Sequence, residues 1–240
     1  MNDKSIERKK INPGSLHSDD SFILLHTRHA ISLFEGRRGS ANKAEIYGVA
    51  RFSGSVGQIY NAAKADDPWA DWWLVKIDEQ IDRSRTKLNE YRSELDLLYP
   101  ASKNINITTP ESIKPVSKPL EFGTPSYPYR LAYLVVDYDE LCSMIRGLVH
   151  HGLLPKAKGE RYMNLAGRPI RSALQAASGY RYQGVTRNDV VANNPKAQKA
   201  RTLMGEVPQD IFDLKLRSDF APVLRQYEEP DDTELEVASG

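Results

Sequence analysis

The sequence of 240 residues contains a single cysteine, Cys142, so no disulfide can form within the chain. A lone thiol is by default a buried structural group and suits the reducing cytoplasm. The longest apolar run, 131–136, is far shorter than the roughly 20 residues that a membrane-spanning helix needs. The first ten residues, MNDKSIERKK, lack the apolar core of a signal peptide. We therefore expect a cytoplasmic protein that does not contact a membrane.

Net charge is also nearly absent, because 33 lysines and arginines oppose 32 acidic residues and leave +1. Such a chain has no overall attraction to nucleic acid, so DNA binding would depend on a local basic patch and on its doubling in a dimer. There is no glycine-rich phosphate loop and no nucleophile elbow. Neither histidine pair, 26/29 or 150/151, has a carboxylate or thiol at metal-ligand spacing. We expect no catalytic residue, no metal and no cofactor.

The patterns that are present predict an α+β protein that is mainly helical. The strongest one lies at 68–98, where apolar residues recur at spacings of three and four around one polar position: Leu74, Ile77, Ile81, Ser84, Leu88, Tyr91, Leu95 and Leu98. This heptad spacing predicts a long amphipathic helix whose narrow seam packs on another helix, from the same chain or from a second copy. The three tryptophans at its start, residues 69, 72 and 73, are expected to pack in the core rather than to stack on bases.

Residues 127–177 predict a strand followed by two helices. The run RLAYLVV at 130–136 combines aromatic and β-branched side chains, which favours a strand. Asp137 with Glu140 would cap the first helix, which ends near His151, and Pro155 suits the first turn of the second. This unit has the length of a dimeric ribbon-helix-helix DNA-binding unit, in which two strands pair and enter the major groove. A buried strand with two packing helices stays open as the alternative, because both strand faces are apolar.

Two basic segments supply the candidate DNA contacts. Arg130 on the predicted strand is the candidate for base contact, and Lys156 with Lys158 at the second helix N-terminus would hold phosphates. Residues 180–183 alternate like a second strand, and Thr186 with Asp189 would cap a short helix through 191. The competing or auxiliary surface consists of six side chains of this second segment: Arg181, Gln183, Arg187, Lys196, Lys199 and Arg201. Ordinary solvated surface is the alternative for the second segment.

The chain divides into five predicted regions. A mobile tail (1–20) precedes a mainly helical region (21–100), with a strand at 22–25 and a helix at 27–35. A proline-rich linker or pair of edge strands (101–126) leads to the ribbon-helix-helix-like region (127–205). The last segment (206–240) ends in an acidic tail without basic residues, and we expect that tail to compete with DNA for the basic face.

Four sequence blocks resemble one known family: HTRHAISLFEGRR at 26–38, DDPWADWWLVKIDE at 66–79, PLEFGTPSYPYRLAYLVVDYDEL at 119–141 and YRYQGVTRNDV at 180–190. They resemble the AcaB-type proteins of conjugative plasmids and integrative conjugative elements, over most of the chain. The resemblance implies a ribbon-helix-helix-like transcriptional regulator that activates conjugative transfer genes as a homodimer on promoter DNA, with the transcription machinery as a further partner. It assigns no individual DNA contact. The alternative is a non-catalytic scaffold protein of the same element that recruits a partner through the heptad helix.

Overall fold

The computed structural model describes residues 21–40, 45–102 and 104–225. The expected mobile tail (1–20) and the acidic tail, which falls within 226–240, lie outside the described residues. Within these ranges the chain is mainly helical, which confirms the predicted class. The elements follow the order β1 (Phe22–Leu25), α1 (Arg28–Glu35), α2 (Val49–Lys64), α3 (Pro68–Asp96), β2 (Val116–Pro119), α4 (Tyr127–His150), α5 (Lys156–Gln175), α6 (Arg187–Val191), α7 (Pro195–Met204) and α8 (Gln209–Phe212). No helix among the described residues is long and apolar enough to cross a membrane.

The long amphipathic helix is confirmed as α3. Asp67 caps its N-terminus by accepting hydrogen bonds from the backbone N–H groups of Trp69 and Ala70, and Pro68 opens its first turn. The seam positions from 74 to 95 are buried or half-buried, and they pack against α2, α4 and α5 of the same chain. The seam is therefore core and is not available to a second copy or a partner. Ser84 is the polar residue of the seam, and its hydroxyl donates a hydrogen bond of 2.7 Å to the Gln80 carbonyl oxygen.

The predicted strand at 130–136 is wrong, because these residues lie inside helix α4. Leu131, Ala132, Leu134 and Val135 are all fully buried. A helix that is apolar on most sides is a core helix, and over seven residues its composition cannot be distinguished from that of a buried strand. The predicted cap Asp137 is likewise inside the helix, where its carboxylate lies 3.5 Å from the Arg85 guanidinium. The predicted helix end near 151 is confirmed.

The described sheet consists of β1 and β2, which pair antiparallel with Phe22 opposite Pro119 and Leu25 opposite Val116. The order strand, helix, helix thus occurs twice, as β1–α1–α2 and as β2–α4–α5, with α3 between the two units. The strand of the second unit is Val116–Pro119 rather than 130–136. This strand pairs with β1 of the same chain, so its backbone groups are satisfied without a second copy.

A close backbone approach joins α1 to α2. Gly36 ends α1 with a φ of 77°, and a Cβ at Gly48 would lie 2.3 Å from the Glu35 carbonyl oxygen. Arg37 and Ile46 then form an isolated antiparallel bridge. Only glycine fits both positions without displacing backbone. The turn holds the N-terminus of α2 beside the C-terminus of α1.

The single cysteine is buried, as expected for a structural thiol. Cys142 lies in α4, and burial raises the pKa of its thiol to about 12. Because the thiolate is the reactive form, this side chain is inert while the protein is folded.

Candidate nucleic-acid interface

Arg130, the candidate for base contact, is held within the fold. Its guanidinium pairs with Asp78 and, at 3.0 Å, with Asp82 of α3. The group also lies 4.4 Å from the centre of the Phe220 ring. With its side chain only 16% exposed, Arg130 joins α4 to α3 and to the C-terminal segment. It is not on a ribbon, which removes the reason for assigning it a base contact.

Arg187 of the second segment is buried in an ionic cluster. Its Nη1 lies 2.7 Å from Asp66, its Nη2 lies 2.8 Å from Asp71, and it also donates to the carbonyl oxygens of Ile211 and Phe212. Asp71 is fully buried and accepts a further hydrogen bond from Arg217 Nε at 2.9 Å. Arg187 therefore connects the start of α3 to the C-terminal segment rather than facing solvent.

The remaining candidates of the second segment are more exposed. Residues 180–183 do not form a strand, so the predicted second strand is wrong. Arg181 Nη1 donates to the carbonyl oxygens of Ser178 and Tyr180, while Gln183 Nε2 donates to that of Tyr182. The predicted cap of the short helix is confirmed, because the residues at 186 and 189 form a capping box at α6.

Helix α7 carries the last three candidates of this segment. Lys196 and Lys199 are exposed. Arg201 is partly buried and contacts the Asn193 side-chain oxygen at 2.7 Å and Glu206 at 3.3 Å. Two lysines on one short helix form a small basic patch.

The two lysines of the first segment lie at the N-terminus of α5. Lys156 and Lys158 are both exposed, and Pro155 as N-cap supplies no side-chain hydrogen bond to the first turn. The free N–H groups and the helix dipole attract the same anions as the two ammonium groups. This end of α5 lies close to α4, since a Cβ at Gly159 would meet Val149 at 2.7 Å.

Beyond these lysines, the outer face of α5 forms a polar stripe that runs the length of the helix. Residues 161, 164, 168, 172 and 175 recur at helical spacing, and each is exposed: Arg161, Asn164, Arg168, Ser172 and Gln175. We call this set, together with Lys156 and Lys158, the α5 face. Arginine matches guanine edges, and asparagine and glutamine match adenine edges. The α5 face therefore combines side chains of the types that can read base edges with a helix end suited to bind phosphate.

Charge within α5 is strongly one-sided. The helix contains five basic residues, at 156, 158, 161, 168 and 171, against the single acid Glu160, which leaves five minus one, or +4. Its opposite face is apolar and packs on α3 and α4. The excess positive charge therefore points outward from the core in a protein whose total charge is +1.

A cleft of about 450 Å³ adjoins this helix on the side of α1. Its lining includes Arg28 and Arg37 with Asn164 and Arg171 of α5, and the buried Tyr138 of α4. Arg28 and Arg37 are exposed, so they extend the positive surface of α5 toward α1. Three guanidinium groups thus line one recess.

The stripe at 161–175 was missed from the sequence, although its spacing could have revealed it. Arg161, Arg168 and Gln175 recur every seven residues, which is the same test that identified α3. Polar residues on one side of a helix are the normal solvated face, so spacing alone carries little functional information. The folded structure shows in addition which face of α5 is covered by α3 and α4.

Comparison with known proteins gives the family. The model of the AcaB transcriptional regulators matches residues 12–225. The chain belongs to the AcaB family. A crystal structure of selenomethionine-containing AcaB from uropathogenic E. coli matches with a TM-score of 0.55 and 15% sequence identity, covering 80% of this chain and 94% of that chain. At this identity the match shows that the two chains share the AcaB fold. A search of curated proteins found no match. The chain is thus a member of a transcriptional regulator family with that fold.

Proposed function

We propose that this AcaB-family protein binds promoter DNA sequence-specifically through the α5 face and activates conjugative transfer genes of a mobile element. The observation that carries the proposal is the exposed stripe on α5, with a helix charge of +4 in a chain of net charge +1. Membership in a transcriptional regulator family supports the regulatory role. The site of action is the cytoplasm, where promoter DNA is located.

The major groove of duplex DNA accommodates one α-helix, and α5 is the helix best suited to it. Arg161, Asn164 and Arg168 would reach base edges, while Lys156 and Lys158 would contact phosphates near the helix N-terminus. Arg130 and Arg187 are left out of this proposal because carboxylates already bind their guanidinium groups. The lysines of α7 and Arg181 remain as an auxiliary phosphate-contacting surface.

The β1–β2 ribbon is a less suitable reading element. The four side chains on its exposed face are Phe22, Leu24, Ser117 and Pro119, of which Phe22 is 57% exposed. Only the serine can make a side-chain hydrogen bond to a base. A ribbon-helix-helix-like arrangement within one chain is compatible with the repeated strand-helix-helix order, but the polar side chains lie on α5.

Homodimer formation is part of the proposal. Two copies would double the α5 face, and a protein with little net charge needs this to reach useful affinity. Contact with the transcription machinery would make the dimer an activator. Light scattering coupled to gel filtration tests the dimer, and a promoter-reporter assay with and without the protein tests activation.

The decisive experiment is a mobility shift of purified protein with the promoter fragments of its own element and with scrambled DNA of equal length. Arg161→Ala with Arg168→Ala should abolish preference for the promoter fragments, since each lost bidentate contact costs about 1–3 kcal/mol of discrimination. Lys156→Ala with Lys158→Ala should weaken binding to all DNA and reduce the salt dependence by about one unit per lost phosphate contact.

A matched control is Lys196→Ala with Lys199→Ala, which removes two exposed charges from α7. We expect a modest loss of affinity with sequence preference retained. If preference is lost in this variant and kept in the 161/168 variant, the reading surface lies on α7. If Phe22→Ala or Ser117→Ala alone abolishes preference, the ribbon reads the DNA.

A further inference from the structure

We propose that the cleft between α1 and α5 binds the phosphate group of a small ligand, at a site that adjoins the outer α5 stripe and shares Asn164 with it. The cleft of about 450 Å³ lies within the size range of small-molecule sites. The chemistry of its lining is suited to recognise a phosphorylated metabolite. A backbone phosphate of DNA has the same chemistry, and the experiment below separates the two sources.

The positive lining is the first reason. Arg28, Arg37 and Arg171 line the cleft, and guanidinium groups are the side chains best matched to phosphate oxygens. Among the described residues that line the cleft, the one acid is Glu35, whose carboxylate accepts a hydrogen bond from Lys118 Nζ at 2.6 Å. That pairing offsets its charge. Arg28 and Arg171 therefore give the walls of the recess an excess of positive charge.

The position of Arg171 is the second reason. A Cβ at Gly167 would lie 3.0 Å from Arg171 Nη1 and 3.0 Å from the Tyr138 hydroxyl oxygen. The absence of a side chain at 167 thus lets the guanidinium fold over α5 and lie beside the tyrosine. Arg171 Nη2 also lies 3.4 Å from the Asn164 carbonyl oxygen, which is a weak contact. The guanidinium is held at the cleft instead of extending into solvent with the stripe.

His29 is the third reason. It lines the cleft, and its Nδ1 is a buried polar atom without a hydrogen-bond partner among the described residues. A buried polar atom without a hydrogen bond ordinarily lowers the stability of the fold by about 1–3 kcal/mol, so its presence calls for an explanation. Burial lowers the pKa of His29, Arg146 and Arg28 lower it further, and Glu160 opposes them. A bound anion would offset the positive potential at this imidazole.

A small ligand fits the cleft better than a duplex does. Leu33 and Tyr138 in its lining are 5% and 2% exposed, so part of the wall lies below the protein surface. A rigid duplex contacts exposed groups, whereas a compact phosphate compound can enter a recess. Asn164 belongs both to the cleft and to the α5 stripe. A ligand bound here would therefore affect the surface proposed for DNA.

The test is calorimetric titration of the full-length protein with inorganic pyrophosphate at low salt, without DNA. Binding should weaken at least tenfold in Arg28→Gln and in Arg171→Gln. The matched control is Arg168→Gln, which removes the same charge from the same helix outside the cleft and should bind as the wild type does. Circular dichroism checks that all variants fold. In the wild type, pyrophosphate should also raise the pKa of His29. NMR of the His29 ring protons measures this change, and the His29→Asn variant identifies which resonances belong to His29.

Three outcomes would overturn the proposal. Equal weakening in all three arginine variants would mean that pyrophosphate senses only the general charge of α5. Pyrophosphate binding that leaves the His29 resonances unmoved would place the anion elsewhere. If pyrophosphate does not bind, the cleft is not a small-ligand phosphate site, and weaker DNA binding by Arg28→Gln would then assign the cleft to a DNA phosphate. Because the titration contains no DNA, failure of the proposed DNA binding leaves its result interpretable.

Discussion

Buried ionic side chains connect the start of α3 to segments far away in the sequence. Arg187 reaches the carboxylates of Asp66 and Asp71, and Arg217 reaches Asp71 from the C-terminal segment. Removing one member of such a group leaves a buried charge without compensation, which is more costly than the net stability that the pair contributes. At the scale of single residues, we therefore expect substitutions of these arginines and aspartates to have large effects on stability.

Arg187→Met should lower the free energy of unfolding by about 3–5 kcal/mol, because the fully buried Asp71 would keep only its contact with Arg217. Urea denaturation measures the change. The control Arg181→Met removes an exposed arginine and should change stability by less than about 0.5 kcal/mol. Similar small effects for both variants would show that the ionic cluster does not stabilise the fold.

Asp67 makes stability depend on pH in an unusual direction. Burial raises the pKa of its carboxyl from 3.8 to about 6, although hydrogen bonds from Tyr180, Ala70 and Trp69 oppose the shift. Between pH 4 and 6 the folded state therefore holds more protons than the unfolded state, and this residue's contribution to stability falls as pH rises. Above pH 6 the folded protein carries the full cost of the buried carboxylate.

Asp67→Asn removes that titration while keeping an oxygen to cap α3. The unfolding free energy of the variant, relative to wild type, should rise by on the order of 2 kcal/mol between pH 4 and pH 7. Thermal or urea unfolding across this range measures the difference. A difference that stays constant with pH would show that the Asp67 pKa is not raised in the folded protein.

At the scale of elements, α2 offers a direct test of the close approach between helices. Gly48→Ala would place its Cβ 2.3 Å from the Glu35 carbonyl oxygen, so backbone must move and we expect a loss of more than about 2 kcal/mol. Gly54→Ala, six positions along the chain, meets nothing within 4 Å. It should stabilise the protein by about 0.5–1 kcal/mol, since alanine favours a helix interior over glycine. Denaturant midpoints measure the stability of both variants. A lower midpoint in both would contradict the expected difference between positions 48 and 54.

At the scale of the whole molecule, nearly balanced total charge makes the distribution of charge decisive. Residues 227–240 contain six acids and no basic residue. If the acidic tail competes with DNA for the α5 face proposed to bind it, removing these residues should tighten DNA binding, most clearly at low salt. Mobility shift of the truncated and full-length proteins measures this. Unchanged affinity at low salt would exclude such competition.

Local patterns were sufficient where one regular spacing extended over many residues or a cap had a characteristic residue pair. Helix α3, the capping box at Thr186 and Asp189, and the helix end near His151 were predicted for this reason. The apolar run at 130–136 was assigned to the wrong element, because a short segment that is buried on nearly all sides has the same composition in a strand and in a helix.

Only the tertiary structure decided which charges remain available. Arg130 and Arg168 are equivalent as sequence letters, but Asp78 and Asp82 bind the first, whereas the second is exposed on α5. Partners about fifty residues away in the chain cannot be identified from local spacing. Pairing and burial depend on how α3, α4 and α5 pack together, and this packing separates an arginine that stabilises the fold from one that can contact DNA.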